Sequence, residues 1–103
     1  MDTEIFLREL EKTFAECLEI AKRKNADYAE QGDPFKNFKM STQVGVAPER
    51  AILVRISDKI SRVSNLLDKE NSVMDERIED TLHDIINYCA ILKALITNNK
   101  QNV

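Results

Sequence analysis

The chain of 103 residues has very few of the residues that interrupt helices: two glycines and two prolines. All four lie in one stretch, at Gly32, Pro34, Gly45 and Pro48. Most all-β folds need turn residues about every 8–12 positions, and a doubly wound α/β domain or a phosphate loop needs more glycines than these. The composition therefore predicts one all-α domain, residues 1–103, with one irregular connection.

Other absences limit the compartment and the partners. No apolar run reaches the roughly 18 residues of a membrane-spanning helix, and the N-terminus lacks the basic start and apolar stretch of a signal peptide. We therefore expect a cytoplasmic protein with no membrane partner. The formal charge of −3 gives no overall basic field for a nucleic acid, although a few local cations suffice for a small anionic ligand.

The two cysteines and the one histidine offer little catalytic machinery. Cys17 and Cys89 fall on apolar helix faces and have no Cys-x-x-Cys spacing, which favours two buried, reduced thiols over a disulfide or a metal site. His83 is predicted at an exposed helix position. Serine and cysteine nucleophiles paired with histidine, and a zinc site built from histidines, are therefore not expected.

Apolar periodicity predicts three long helices, at about residues 3–30, 48–69 and 72–98, around an irregular loop at about 31–47. Asp2 or Thr3 can cap the first helix, and Pro48 suits the first turn of the second. The predicted apolar stripes are Phe6, Leu10, Phe14, Cys17, Ala21 and Tyr28 on the first helix, Leu53, Ile56, Ile60, Val63 and Leu67 on the second, and Met74, Ile78, Leu82, Ile85, Cys89, Leu92 and Ile96 on the third. The tail from Asn98 is expected to fray.

Further apolar residues lie off these stripes, namely Ile52, Leu66, Ile86, Ile91 and Leu95. Three long helices make a thin bundle that would leave some of them in water. The sequence therefore predicts self-association of the chain into a larger helical bundle.

Polar residues interrupt the apolar face of each predicted helix. At about 100° per residue, Lys59 falls between Ile52 and Leu66, Asp84 between Ile91 and Leu95, and Lys24 between Ala21 and Tyr28. Lys59 is flanked by Arg55, Asp58 and Arg62. Asp84 is flanked by Arg77, Asp80, Asn87 and Tyr88, and Lys24 is next to Asp27. Each set alone could be a solvated or snorkelling face, but three sets at three stripe margins predict a shared polar pocket.

The residues of this pocket suit a nucleotide. Asp80 and Asp84 lie one turn apart and could share Mg²⁺, which prefers a few protein oxygens together with phosphate oxygens and water. Four cations could meet the phosphates: Lys24, Arg55, Lys59 and Arg62. An aromatic ring from Tyr28, Phe35, Phe38 or Tyr88 could stack on the base. Alternatively, the two phenylalanines of the loop plug the end of the bundle.

Three segments of the chain resemble a known family. They are Lys24-Asn25-Ala26-Asp27-Tyr28, Arg55-Ile56-Ser57-Asp58-Lys59-Ile60-Ser61-Arg62 and Asp80-Thr81-Leu82-His83-Asp84-Ile85-Ile86-Asn87-Tyr88-Cys89. Together they resemble the nucleotide modification associated domain of type 1, a small phage and bacterial family, over residues 24–96. The resemblance implies a nucleotide-handling pocket and a phage gene.

That family is similar in outline to the all-α nucleoside triphosphate pyrophosphohydrolases of the MazG type, which are oligomeric and hold Mg²⁺ with carboxylates on neighbouring helices. The likeness implies a MazG-like helical bundle completed by oligomerisation. The usual motif is Glu-x-x-Glu followed by Glu-x-x-Asp. Here Glu16 and Glu19 have the first spacing but are predicted to face solvent, and Asp80 and Asp84 are four apart rather than three. Nucleotide handling is therefore implied more firmly than hydrolysis.

The sequence thus leads to one principal hypothesis and two alternatives. The first is a homo-oligomeric protein that binds a nucleoside di- or triphosphate and hydrolyses it as a Mg²⁺-dependent pyrophosphohydrolase. The first alternative is a non-catalytic phage protein that sequesters a nucleotide or cyclic nucleotide. The second alternative is a purely structural or partner-binding helical bundle. The candidate catalytic and metal-binding residues are Asp80 and Asp84, and the candidate ligand-binding residues are Lys24, Asp27, Tyr28, Phe35, Arg55, Asp58, Lys59, Arg62, Asn87 and Tyr88.

Overall fold

The computed structural model describes residues 1–26, 32–69 and 76–101. These contain four α-helices and a 3-10 helix, with no strand in the described ranges, which confirms the all-α prediction. In chain order the elements are α1 (Thr3–Ala26), α2 (Lys36–Lys39), the 3-10 helix (Met40–Val44), α3 (Pro48–Leu67) and α4 (Glu76–Gln101).

The helix starts follow the local sequence signals. The backbone N–H of Ile5 donates to the Asp2 carboxylate at 2.9 Å, so Asp2 caps α1, and Pro48 occupies the first turn of α3. Gly45 ends the 3-10 helix at φ 78°, a left-handed conformation in which a side chain would be strained. The glycine is therefore required by the turn that leads into α3.

Two predicted boundaries need correction. The connection predicted as irregular contains α2 and the 3-10 helix. The tail that was predicted to fray from Asn98 stays helical to Gln101, because the Asn99 amide donates to Glu49 of α3 at 2.6 Å and so ties the last turn of α4 to the bundle. The predicted ends of the first helix beyond residue 26 and the start of the third before residue 76 lie outside the described residues.

The hydrophobic core lies between α2, α3 and α4. Phe38, Ile52 and Leu95 form its buried centre, with Phe35, Ile56, Tyr88, Ile91 and Leu92 packed against it. The predicted stripe of α3 was wrong in part, because Leu53, Ile60 and Leu67 are exposed while Ile52 and Leu66 are buried. On α3, Ile52, Lys59 and Leu66 are spaced by seven on one face, and Lys59 is half-buried between the two buried residues. A lysine therefore lies on the face that packs against α4.

Helix α4 is the central element of the fold, since both α1 and α3 pack on it. Among the described residues, α1 and α3 make no close backbone approach to each other. A space therefore opens between them above α4, and its walls carry five of the predicted site residues. No helix in the described ranges is long and apolar enough to cross a membrane.

Candidate functional site

A cleft of about 580 Å³ opens between four helices, α1, α2, α3 and α4, with Pro34 of the loop before α2 at its edge. We call it the first cleft. It is lined by Leu18, Ala21, Lys22, Lys24, Asn25, Pro34, Asn37, Phe38, Arg55, Asp84, Asn87, Tyr88 and Ile91. Five of the twelve predicted site residues are therefore brought together here from three different helices, namely the candidate metal ligand Asp84 and the candidate ligand-binding residues Lys24, Arg55, Asn87 and Tyr88.

Asp84 joins the three long helices through two ion pairs. The Lys24 ammonium on α1 lies 3.0 Å from Oδ1, and the Lys59 ammonium on α3 lies 3.1 Å from Oδ2. Partial burial acts to raise the pKa of the Asp84 carboxyl, but the hydrogen bonds and charges of the two lysines outweigh it, so the pKa is lowered. Asp84 is therefore an anion, and both of its oxygens are already engaged by cations.

One wall of the first cleft is aromatic. The rings of Phe38 and Tyr88 meet edge to face, with centroids 6.3 Å apart and an interplanar angle of 87°. The Arg55 guanidinium carbon lies 5.4 Å from the centroid of the Phe38 ring, a cation–π distance. This wall therefore presents a guanidinium and the half-buried Tyr88 ring to the cleft, while Phe38 is 8% exposed and belongs to the core.

Two contacts fix α1 against α4 beside this wall. The Asn87 amide donates to the Cys17 carbonyl oxygen at 3.0 Å, and the Cys17 thiol lies 3.9 Å from the His83 carbonyl oxygen. Burial raises the pKa of the Cys17 thiol, and the charges of Glu16 and Asp84 raise it further. Cys17 is thus a buried and unreactive thiol, as expected, whereas Cys89 is exposed and that part of the prediction was wrong.

A second, more polar groove of about 530 Å³ lies between α3 and α4. We call it the basic groove. Its lining is Asp58, Lys59, Ser61, Arg62, Asn65, Leu66, Lys69 and Arg77, with four cationic side chains and one carboxylate. Lys59 belongs to this groove and binds Asp84 of the first cleft, so that one ion pair connects the two spaces. The sequence grouped Asp58, Lys59 and Arg62 with the residues of the first cleft, whereas the structure places these three in the adjoining groove.

The remaining predicted site residues have different surroundings. Phe35 packs against the hydrophobic core, and its backbone N–H donates to the Asp33 carboxylate at 2.9 Å. It lies outside the linings of both clefts, which agrees with the alternative that it plugs the bundle. Asp27 and Tyr28 lie outside the described residues. Asp80 is exposed and also lies outside both linings.

The geometry around Asp84 does not favour a magnesium site there. Two ammonium groups at 3.0 and 3.1 Å occupy the positions that a divalent cation would need, and a metal would have to displace them against charge repulsion. The assignment of Asp80 and Asp84 as metal ligands and catalytic residues stays a prediction.

A different group of side chains could hold a metal, and the sequence did not indicate it. Ligand atoms of Glu16, Glu79 and His83 all lie within 4.8 Å of one another. His83 was predicted to be exposed and is buried, because α1 crosses α4 there, and its Nε2 lies 3.1 Å from Oε2 of Glu16. Glu16, predicted to face solvent, is half-buried by the same crossing. The Glu79–His83 spacing of four was the only signal in the sequence.

Sequence reasoning also missed several lining residues. Lys22, Asn25 and Asn37 add polar groups to the first cleft, and Lys69 adds a cation to the basic groove. None of them interrupts an apolar stripe, which was the signal used to find the others. Their place in the site follows only from how α1 and the loop pack around α4.

Comparison with known proteins gives one match. The model of the family described as nucleotide modification associated domain 1 matches residues 24–97. This range holds most of the first-cleft lining and all of the basic groove, and it confirms the family resemblance seen in the three segments. Searches of curated proteins and of solved structures found no match, and the likeness to MazG-type enzymes stays a prediction.

Proposed function

The chain belongs to the nucleotide modification associated domain 1 family, and from that membership and the geometry of the two clefts we propose that it binds a nucleoside di- or triphosphate. The observation that carries the proposal is the junction of an aromatic cleft with a basic groove through the Asp84–Lys59 ion pair. These are the two environments that a nucleotide needs.

The first cleft suits the nucleoside. Its volume of about 580 Å³ lies within the roughly 300–1,000 Å³ of small-molecule sites. Phe38, Tyr88 and Ile91 offer an apolar and aromatic surface, and each base stacked on an aromatic ring contributes about 1–3 kcal/mol. Asn25 and Asn37 offer amide donors and acceptors that could pair with base edges or sugar hydroxyls.

The charges around the first cleft and the basic groove suit the phosphates. Lys22, Lys24 and Arg55 outnumber Asp84 in the first cleft, and the basic groove adds Arg62 and further cations. Arginine binds phosphate oxygens as a fork, and lysine binds them as a point charge. Phosphate oxygens could take over one or both of the lysines that now bind Asp84, so ligand binding would exchange one ion pair for another.

A thermal-shift screen of nucleotides, with and without Mg²⁺, tests the proposal. A ligand at 100 times its Kd stabilises the fold by about 2.7 kcal/mol, which is a readily measured shift in Tm. Triphosphates should stabilise the protein more than their nucleosides. Arg55→Ala should lose most of this effect, whereas Arg50→Ala, an exposed position on the same helix outside both linings, should keep it. A screen in which no nucleotide raises the Tm would refute the proposal.

Hydrolysis is the second candidate function, with the Glu16–Glu79–His83 group as a candidate metal site, although its three residues lie outside the linings of both clefts. Mg²⁺ prefers oxygen ligands, whereas one imidazole together with two carboxylates favours Zn²⁺. A pyrophosphohydrolase would release pyrophosphate from a triphosphate in a metal-dependent manner and lose this activity in Glu79→Gln. Tight binding without metal, with the nucleotide recovered intact, would instead support a protein that binds the nucleotide without hydrolysing it. We further propose that the protein works in the cytoplasm as a homo-oligomer.

A further inference from the structure

The first half of α1 projects from the rest of the chain. Every residue from 3 to 15, which we call the α1 arm, is exposed except the half-exposed Thr13. From Cys17 onward the helix is anchored on α4, where Cys17 is buried and Asn87 donates to its carbonyl oxygen. The arm is thus a continuous helix that extends past its own packing contacts.

The arm exposes a row of large apolar side chains to solvent. Phe6, Leu10 and Phe14 are 49%, 37% and 58% exposed, and their spacing of four places them in one row. By helical period this row continues the face on which Cys17 is buried against α4. Helices in proteins gain most of their stability from packing an apolar face, and among the described residues this row is left largely in water.

The accessible surface of the chain is larger than that of a compact monomer of the same mass. The chain exposes 7924 Å², whereas a monomeric globular protein of 11.8 kDa exposes about 5,900 Å². Its radius of gyration is 15.9 Å, against about 13 Å for a compact domain of this length. This excess of roughly 2,000 Å² belongs to the whole chain, the arm included, and it is larger than the ~800 Å² that each partner buries in a standard interface.

The charges of the arm point to a second copy as the partner. Its polar side chains are of both signs, with Glu4, Glu9 and Glu11 against Arg8 and Lys12. The arm therefore has no single-sign field that would select a strongly acidic or basic partner. An apolar row flanked by mixed charges is compatible with its own copy, which is what an interface about a two-fold axis requires.

We infer that the α1 arm is a homodimer interface, in which the row of Phe6, Leu10 and Phe14 packs against the same row of a second copy of this chain. The inference goes beyond the proposed nucleotide site and does not depend on it. It also bears on the first cleft, because α1 carries Leu18 and Lys24 of its lining. Dimerisation through the arm would hold that wall in place.

Light scattering coupled to size exclusion tests the inference with a matched pair of variants. The wild-type chain should have twice the 11.8 kDa mass of one chain. Phe14→Glu should weaken dimerisation about a hundredfold or more, since a symmetric interface loses the buried ring twice. Arg8→Gln changes the charge by the same one unit on the opposite side of the helix and should leave the dimer intact.

A second measurement does not require a folded variant. The Tm of a wild-type dimer should rise with protein concentration, because association stabilises only the folded chain. A wild-type chain that is monomeric with a concentration-independent Tm would overturn the inference. So would a dimer that survives Phe14→Glu unchanged, because its interface would lie elsewhere.

Discussion

Removing the charge of Asp84 is the sharpest structural test of the three-helix junction. In Asp84→Asn the lysines at 3.0 and 3.1 Å lose their shared anion. The side chains of Asp84 and Lys59 are only 19% and 31% exposed, whereas that of Lys24 is 61% exposed. Hydrogen bonds to charged groups contribute about 1.5–3 kcal/mol, and exposed ion pairs about 0.2–1 kcal/mol. The Lys59 pair should therefore account for most of the effect.

The predicted cost of Asp84→Asn is about 1–3 kcal/mol, or roughly 4–8 °C in Tm for each kcal/mol in a domain of this size. Two double-mutant cycles separate the pairs. The cycle of Asp84→Asn with Lys59→Met should give a coupling energy of about 1–2 kcal/mol, and the cycle with Lys24→Met should give less than about 1 kcal/mol. Chemical denaturation measures both. A Lys24 coupling equal to or larger than that of Lys59 would refute the reasoning from burial.

The two ion pairs of Asp84 also predict how the stability of the fold depends on pH. The pKa of Asp84 is lower in the folded chain than in the unfolded one, so the unfolded state binds the proton more readily. The contribution of Asp84 to stability is therefore complete above the unfolded aspartate pKa, near 3.9, and is lost as the pH falls through the folded value. The stability difference between wild type and Asp84→Asn should shrink over that acidic range. An unchanged difference would contradict the ion pairs.

Three further predictions concern the core, the loop and the thiols. Ile52→Ala should destabilise the fold by about 2–5 kcal/mol by leaving a cavity, while Leu53→Ala, at the neighbouring exposed position, should cost far less in the same denaturation assay. The Phe35 backbone N–H and the Lys39 ammonium lower the pKa of Asp33, so the pKa measured from its carboxyl signal in an NMR titration should be lower than that of an unperturbed aspartate and should rise in Lys39→Met. A thiol reagent should label Cys89 quickly and Cys17 only on unfolding, because burial raises the pKa of the Cys17 thiol; equal labelling rates in the folded protein would contradict the packing.

The helix starts and the break between the long helices could be predicted from the sequence, because the signals for them are local. Asp2 and Pro48 mark helix starts in the chain itself, and the concentration of Gly and Pro between residues 32 and 48 correctly located the break between the long helices. Periodicity could not decide which apolar face of α3 turns inward, because both faces are apolar. The face with Lys59 packs against α4, where Asp84 forms an ion pair with Lys59 at 3.1 Å. Because this contact joins two helices, the periodicity of α3 alone does not predict it.

The candidate site was predictable to the extent that its residues interrupt apolar rows. Lys24, Lys59 and Asp84 were found in this way, and the structure joins them in two ion pairs. The division into a first cleft and a basic groove depends on how the helices cross. The periodicity of one helix does not predict that crossing. The burial of His83 is a consequence of the same crossing, so a helical wheel of α4 alone placed it in solvent.

Calorimetric titration of the wild-type protein with a nucleoside triphosphate and its parent nucleoside, in metal-free buffer, tests the central claim most directly. The account predicts one nucleotide bound per chain, weaker binding of the nucleoside, and a loss of about tenfold or more in affinity in Arg55→Ala but not in Arg50→Ala. Binding of neither ligand, with or without added divalent metal, or equal affinities in both arginine variants, would contradict a nucleotide site in the first cleft.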